Sequence, residues 1–388
     1  MALFRFTKRR ILTAAAVLVL LVAGAVAALL ASEWTYIQHL RHYPAKPITD
    51  VDWYKPKQRV PGGIIAEIPV ATPEQIQIDA QAISNALHYA EQKHSAALLI
   101  LHQGRIVAEK YWDGQTAERW TDSASMAKTI TALLIGIAIE EGKIASINEP
   151  AARYLPAWSK DARHNITIGH LLSMHSGLRP NGEYEDPFSD ACYLALGTNL
   201  RYVVDQIPAV TAPGTTNDYN NVNYQALGFV LEAATGQSYA AYLSEKLWQP
   251  LGNAEAALWL DRPGGAARSF GYLFATPRDW ARVGLLMLNG GKSNGRQLVS
   301  TNWLQQLAKP SPTEPDYGYG LWIGSGKGAR RPDHAEPFAA EDVIYLDGRH
   351  KQRVYIVPSR QLIVVRVGEQ ARGWDEAYLV NVLLRGLR

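Results

Sequence analysis

The sequence has almost no cysteine, little charge imbalance and no histidine pairs at metal-binding spacing. Cys192 is the one thiol, which excludes an internal disulfide and leaves no lipid-modifiable cysteine behind the N-terminal apolar run. Lys and Arg number 39 against 36 Asp and Glu, a net charge of +3. Four cations (Arg5, Lys8, Arg9, Arg10) precede the first apolar run, so the remainder is nearly neutral and offers no basic footprint for nucleic acid. The ten histidines are scattered, and His170 and His175 read as hydrogen-bonded core or loop residues rather than metal ligands. No internal repeat is visible. What the chain does have is aromatic mass: 11 Trp and 19 Tyr in 388 residues point to a packed body rather than a disordered one.

Residues 11–32, ILTAAAVLVLLVAGAVAALLAS, carry no charge. This matches the roughly 20 apolar residues that a bilayer-crossing helix needs. The preceding cations hold that end in the cytoplasm, and Trp34 and Tyr36 fall where interfacial aromatics are expected. The expectation is a cytoplasmic basic segment (1–10) and a single-pass anchor (11–32) in a bacterial inner membrane, with the body facing the periplasm or outside. Ala25-Val26-Ala27 fits a small-x-small cleavage site, but secretory signals have apolar cores of only about 7–15 residues, so length favours a retained anchor. Residues 33–75, with several prolines and no periodicity, read as a tether or surface-hugging arm.

The body, 76–388, begins with a helix expected over 74–94 and a hairpin, SAALLILHQGRIVAEKYW, turning at Gly104. One long helix is expected over 120–144. A turn-rich helical insertion follows, about 146–260, then a helix in TPRDWARVGLLMLNGG. The last third returns to strands (YGYGLWIG, AEDVIYLDG, QRVYIVPS, QLIVVRVG) and a closing helix from about 374. Strands at both ends with helices between imply an α+β fold: one antiparallel sheet flanked by helices, with a helical insertion domain.

Ser125 and Lys128 stand three residues apart at the polar entry of the 120–144 helix, so both face one side. A first-turn serine lies among unpaired N–H groups that favour a developing oxyanion. A desolvated lysine loses proton affinity and can take or relay a proton. The same residues also fit an ordinary first-turn serine and a snorkelling lysine. Tyr219 and Asn221 precede a second helix: a phenol near an ammonium has its anion stabilised and can share the base role, and the amide can orient Lys128 and substrate. Gly291-Lys292-Ser293-Asn294-Gly295 matches a nucleophile elbow in letters only, because a helix precedes it where a strand is required.

Together Ser-x-x-Lys and Tyr-Asn-Asn resemble the serine β-lactamase/penicillin-recognising superfamily. The class C-like branch, with its esterases and 6-aminohexanoate-dimer hydrolases, is the nearest in pattern; INEPAARYLPAW, TIGHLLSMHSGLRP, FATPRDWARVGLLMLNGG and QRVYIVPSRQLIVVRVG also resemble it. The resemblance implies a metal-free, cofactor-free site with Ser125 as the acylated nucleophile, Lys128 and Tyr219 as the proton-transfer pair and Asn221 as a positioning residue. Tyr184, in GEYEDPFSD, matches a loop tyrosine that touches substrate in the aminohexanoate-dimer branch. The third motif departs: Gly348, Arg349, His350, Lys351 and Gln352 stand where relatives keep Lys-Thr-Gly, His-x-Gly or glycines. The Arg349 N–H is expected to complete the oxyanion hole, since a backbone donor survives side-chain change. The added cations are expected to narrow or recharge the cleft, disfavouring β-lactams. The function expected is a serine hydrolase acting on a small ester or amide. The alternative is a non-catalytic penicillin-binding-like module sensing peptidoglycan fragments or a protein partner. Oligomeric state is not legible.

Overall fold

The computed structural model describes residues 2–311, 313–325 and 335–388, and within the first helix the side chains of 11, 13–24, 27, 31 and 32. Helix α1 (Ala2–Ser32) runs almost directly into α2 (Trp34–His42). Several side chains of the expected 11–32 span lie outside the described residues. Among the described residues no helix is long and apolar enough to cross a membrane.

The stretch expected as an arm is built into the body. Its strand β1 (Lys57–Val60) pairs within a sheet, and Tyr54 is fully buried. Helix α3 (Ala80–Gln92) begins later than expected, because Thr72 caps a separate turn at Pro73–Gln75 and Asp79 then caps α3 through the Gln81 N–H. Strands β2 (Ser95–His102) and β3 (Arg105–Tyr111) form the expected hairpin.

The expected 120–144 helix is shorter. Thr121–Asp122 is strand β4, Ala124–Met126 is a 3₁₀ turn, and only Ala127–Glu140 is helical, as α4. Two local forces move the boundary. Residues 121–122 are drawn into a sheet, and the Asp122 carboxylate accepts the N–H of Ala124, whose φ is +46°. Helix α4 is then buried nearly all round, as a helix lacking a polar face must be.

The middle contains α5 (Ile168–Leu172), α6 (Asp190–Leu196), α7 (Leu200–Gln206), α8 (Asn221–Thr235) and α9 (Tyr239–Leu243). Strands β5 (Ala256–Trp259) and β6 (Leu273–Ala275) lead to α10 (Pro277–Leu288). Lys292–Ser293 (β7) and Arg296–Gln297 (β8) make a tiny hairpin after α10, so the Gly-x-Ser-x-Gly match is a turn. Then come α11 (Thr301–Leu307), β9 (Trp322–Ile323), β10 (Ile344–Gly348), β11 (Gln352–Val357), β12 (Leu362–Gly368) and α12 (Tyr378–Arg385).

The main sheet has the order β3-β2-β12-β11-β10-β9 and every pairing in it is antiparallel. Alternate residues face opposite layers. Leu99, Leu101, Val354, Ile356, Ile363 and Val365 join the core shared with α4 and α10, while Leu98, Ile100, Tyr355, Val357 and Val364 pack with α3 and α12. Covering both faces explains the continuous apolar runs. A second sheet, β1-β5-β6-β4, was not expected. Its strands are two to four residues long, too short for a period-two pattern to register. It fixes β4, and through β4 the turn that carries Ser125.

Candidate active site

The site lies where that turn meets the N-terminus of α8 and the end of β10. Ser125, half-buried, is the middle residue of the 3₁₀ turn leading into α4. Lys128 sits one turn further on with only 1% of its surface exposed. Its Nζ lies 2.8 Å from Ser125 Oγ and donates to the Phe270 carbonyl at 3.0 Å. Burial lowers the Lys128 ammonium from its ordinary 10.5 to about 7, opposed by the negative charge of Asp347 on β10. A buried lysine with neutral hydrogen-bond partners is therefore a base near neutral pH, not a snorkelling surface cation.

Tyr219 completes the group. Its hydroxyl hydrogen-bonds Ser125, and its ring centroid stands 5.0 Å from the Lys128 Nζ. The ring stacks on Trp322 at 6.0 Å and meets Tyr317 edge-on. Here the expected electrostatics are reversed. Burial, with Tyr317 and Asp347 adding to it, raises the phenol well above its usual range, so the nearby amine does not yield a phenolate. Tyr219 is a neutral hydroxyl that can pass a proton.

Asn220 caps α8 by accepting the Val222 N–H at 2.9 Å and ties the cap to the Arg179 carbonyl at 2.8 Å. That cap aims Asn221 into the site. The Asn221 amide nitrogen donates to the Tyr184 hydroxyl, and its carbonyl oxygen is buried with no partner among the described residues. A buried acceptor left unpaired costs about 1–3 kcal/mol, so this oxygen is poised to accept a donor from a bound molecule.

Gly348 ends β10 against the Ser125 turn. A Cβ there would meet the Ser123 carbonyl oxygen at 2.5 Å and Gln352 Cβ at 2.8 Å, so only glycine permits the approach. Beyond it the chain turns through His350 and Lys351 at φ of +61° and +65°, each costing roughly 1–2 kcal/mol for a residue with a Cβ. Gln352 and Arg366 hold this turn. Gln352 Nε2 donates to the Arg349 carbonyl at 3.1 Å, and the Arg366 guanidinium donates to the His350 carbonyl at 2.6 Å. The departure from the glycine-rich pattern thus leaves the strand end in the site. Arg349 lies over the Tyr184 ring at 5.2 Å and pairs with the exposed Glu185 at 3.5 Å; Lys351 instead turns back to Glu376. Burial and the two neighbouring arginines push His350 down to about 4, so it is a neutral imidazole.

All eight singled-out residues therefore converge: Ser125, Lys128 and Tyr219 at the centre, Gly348 against the Ser125 turn, and Asn221, Tyr184, Arg349 and His350 around them, with Arg349 over the Tyr184 ring that Asn221 bonds. Reading the sequence missed Asp122, a buried carboxyl raised to about 7 beside the Ser125 turn, and Asp347, whose charge reaches Lys128. It also missed Tyr43, Pro47 and Ile48, which line the cavity at Ser125. Short polar residues in β4 and β10 carry no periodic signal, and proline-rich segments read as linkers. His170 lies in α5, its ring accepting the Thr167 N–H, and His175 bonds the Ser173 carbonyl; no metal-binding cluster exists among the described residues.

This geometry has relatives. The chain is 27% identical over 263 residues to 6-aminohexanoate-dimer hydrolase from Paenarthrobacter ureafaciens, covering 64% of this chain and 67% of that protein. It spans between 33% and 50% of the length of several other curated relatives. Its fold matches a Bacillus anthracis protein described as a candidate 6-aminohexanoate-dimer hydrolase, with TM-score 0.72, 21% identity, and coverage of 87% of this chain and 91% of the other. A penicillin binding protein from Bacillus halodurans matches with TM-score 0.60 at 22% identity, over 78% of this chain and 100% of that one. The family model described as Beta-lactamase matches residues 80–379, a stretch that holds Ser125, Lys128 and Tyr219 together with the whole main sheet, and the chain belongs to that family.

Proposed function

We propose that this chain is a serine hydrolase that cleaves an ester or a linear amide through an acyl-enzyme on Ser125. The observation that carries the reading is the fully buried Lys128 amine, 2.8 Å from a half-exposed serine hydroxyl. Above about pH 7 the amine is neutral and takes the Ser125 proton as Oγ bonds to the substrate carbonyl carbon. The carbonyl electron pair moves to oxygen, which the N–H groups of Ser125 and Arg349 receive. The proton on Lys128 passes through the Tyr219 hydroxyl to the leaving oxygen or nitrogen, which departs as alcohol or amine. A water molecule, deprotonated by the same pair, then attacks the ester on Ser125 and releases the acid. Asn221 and Tyr184 hold the substrate beside this path. Similarity to a 6-aminohexanoate-dimer hydrolase supports a linear amide as one substrate class.

The proposal includes anchorage in the inner membrane through residues 11–32 with the hydrolase outside. The uncharged run behind Arg5, Lys8, Arg9 and Arg10 supports it. The test is a panel of p-nitrophenyl esters, aminohexanoate oligomers and nitrocefin, run on wild type and Ser125→Ala. We expect ester or linear-amide turnover that vanishes in the variant, with nitrocefin left intact. Turnover that survives Ser125→Ala, or none on any ester or amide, contradicts the proposal.

A further inference from the structure

We propose that the face made by α2, α7 and the loop before α6 rests on the phospholipid bilayer that residues 11–32 cross, with lipid acyl chains filling its groove. This rests on the anchorage proposed above and adds a second membrane contact beside the span.

A groove of about 960 Å³ lies between α2, α6 and α7, within the roughly 300–1,000 Å³ of sites that take small apolar ligands. Tyr36, Ile37, Leu40, Phe188, Tyr202 and Ile207 give it an apolar lining. The charged residues along it are Glu33 and the Arg179–Asp190 pair, already joined at 2.7 Å. Its Ser189 and Asn199 cap α6 and α7 by accepting the N–H groups of Cys192 and Tyr202. A charged peptide therefore finds little to pair with, whereas an acyl chain needs no polar partner.

The rim is aromatic and held outward. Phe188 is 95% exposed, Tyr202 60% and Trp34 55%. The Phe188 N–H donates to the Asp186 carboxylate at 2.9 Å, and the neighbouring Pro187 carbonyl accepts the Tyr36 hydroxyl at 2.6 Å. The second bond ties the loop to α2, where the Tyr36 ring also meets Tyr193 of α6 at 5.0 Å. Exposed Trp and Tyr suit the membrane–water boundary, and a Phe beside them suits its acyl side.

The chain sets the height of this face. Trp34 and Leu40 follow Ser32, the last residue of α1, by about 3 and 12 Å of helix rise. The polar layer on each side of a bilayer is roughly 5–8 Å thick. The groove thus begins inside that layer, and the Tyr36–Pro187 bond keeps Phe188 beside it. Tyr184 stands four residues before Phe188, so a side chain of the candidate site lies within about 14 Å of the lipid contact.

The test uses the full chain in vesicles of phosphatidylethanolamine and phosphatidylglycerol. These carry a trace of phosphatidylcholine with a diazirine near the glycerol end of one acyl chain. After illumination, peptide mass spectrometry locates the lipid adducts in wild type and in the double variant Phe188→Ser, Tyr202→Ser. Two sets are expected in wild type, one within 11–32 and one on the peptides holding Ile37 and Leu40, Phe188 or Tyr202. The double variant is expected to lose the second set, judged at Ile37 and Leu40, and to keep the first. Adducts within 11–32 alone overturn this inference and leave the anchorage standing; that is the result if a second copy or another protein covers the face. A second set undiminished in the double variant also overturns it. No adduct within 11–32 overturns the anchorage and this inference together.

Discussion

The pH dependence of acylation follows directly from the burial of Lys128. An unshifted lysine at 10.5 is neutral in only about 1 molecule in 3,000 at pH 7. With the ammonium lowered to about 7, the neutral fraction is roughly 0.09 at pH 6 and 0.91 at pH 8, so acylation rises about tenfold across that interval. The assay is the pre-steady-state burst of p-nitrophenol from an activated ester, recorded from pH 5 to 10. Its second-order rate reports the free enzyme. Asp122, raised to about 7 by burial, titrates in the same window. Asp122→Asn separates the two, because Asp122 is not among the charges acting on Lys128: the midpoint stays near 7 in that variant and is lost in Lys128→Ala. A midpoint near 10, or a flat profile from pH 6 to 9, refutes Lys128 as the base.

Tyr219→Phe keeps the ring against Trp322 but removes the proton path, so acylation falls by ~10²–10⁴-fold in the same burst assay with little change in the far-UV spectrum; a loss under threefold would assign Tyr219 to packing alone. Gly348→Ala drives a Cβ to within 2.5 Å of the Ser123 carbonyl, displacing the strand end from the Ser125 turn. It lowers the acylation rate by up to ~10²–10³-fold, the scale of one lost oxyanion donor, and unaltered acylation would contradict the proposed hole. Lys128→Met tests the stability side of the shift. Because the folded-state value, about 7, lies below the unfolded 10.5, the unfolded chain holds more protons between those pH values, and wild-type stability climbs as pH rises through that window. Below pH 7 the penalty is complete, on the order of 5 kcal/mol at most, less the hydrogen bonds to Ser125 and Phe270. The Tm gain of Lys128→Met over wild type therefore shrinks from pH 6 to pH 10, and a pH-independent difference would argue that Lys128 is not desolvated.

The parts of this molecule legible in its sequence are those where one residue type has few alternatives. Ser125 and Lys128 share a face at a spacing of three, and Tyr219 and Asn221 stand at a capped helix start; both features survive without knowledge of the packing. The hairpin at Gln103–Gly104 and the β10–β12 run were visible because each strand is long and apolar. The start of α4 was not, since helix propensity over 120–126 is overridden by pairing of Thr121–Asp122 with β6 and by the Asp122 carboxylate holding Ala124. Nor could sequence reveal the sign of the Lys128–Tyr219 coupling. Proximity to the amine favours the phenolate; burial, with Tyr317 and Asp347 adding to it, decides against it. The arm was misleading for a similar reason: prolines remove helical periodicity, yet Tyr43 and Pro47 are tied to the buried Tyr54 hydroxyl and Ile48 to the distant Asp122 N–H by single bonds that leave no periodic pattern.

The central claim is that Ser125 is a nucleophile activated by Lys128. The direct measurement is intact-protein and peptide mass spectrometry after a brief exposure to a fluorophosphonate at pH 8, on wild type, Ser125→Ala and Lys128→Ala. The account predicts one adduct per chain, on Ser125 in wild type, none in Ser125→Ala, and labelling slowed at least ~10²-fold in Lys128→Ala. An adduct on another residue, or equal labelling with and without Lys128, contradicts it.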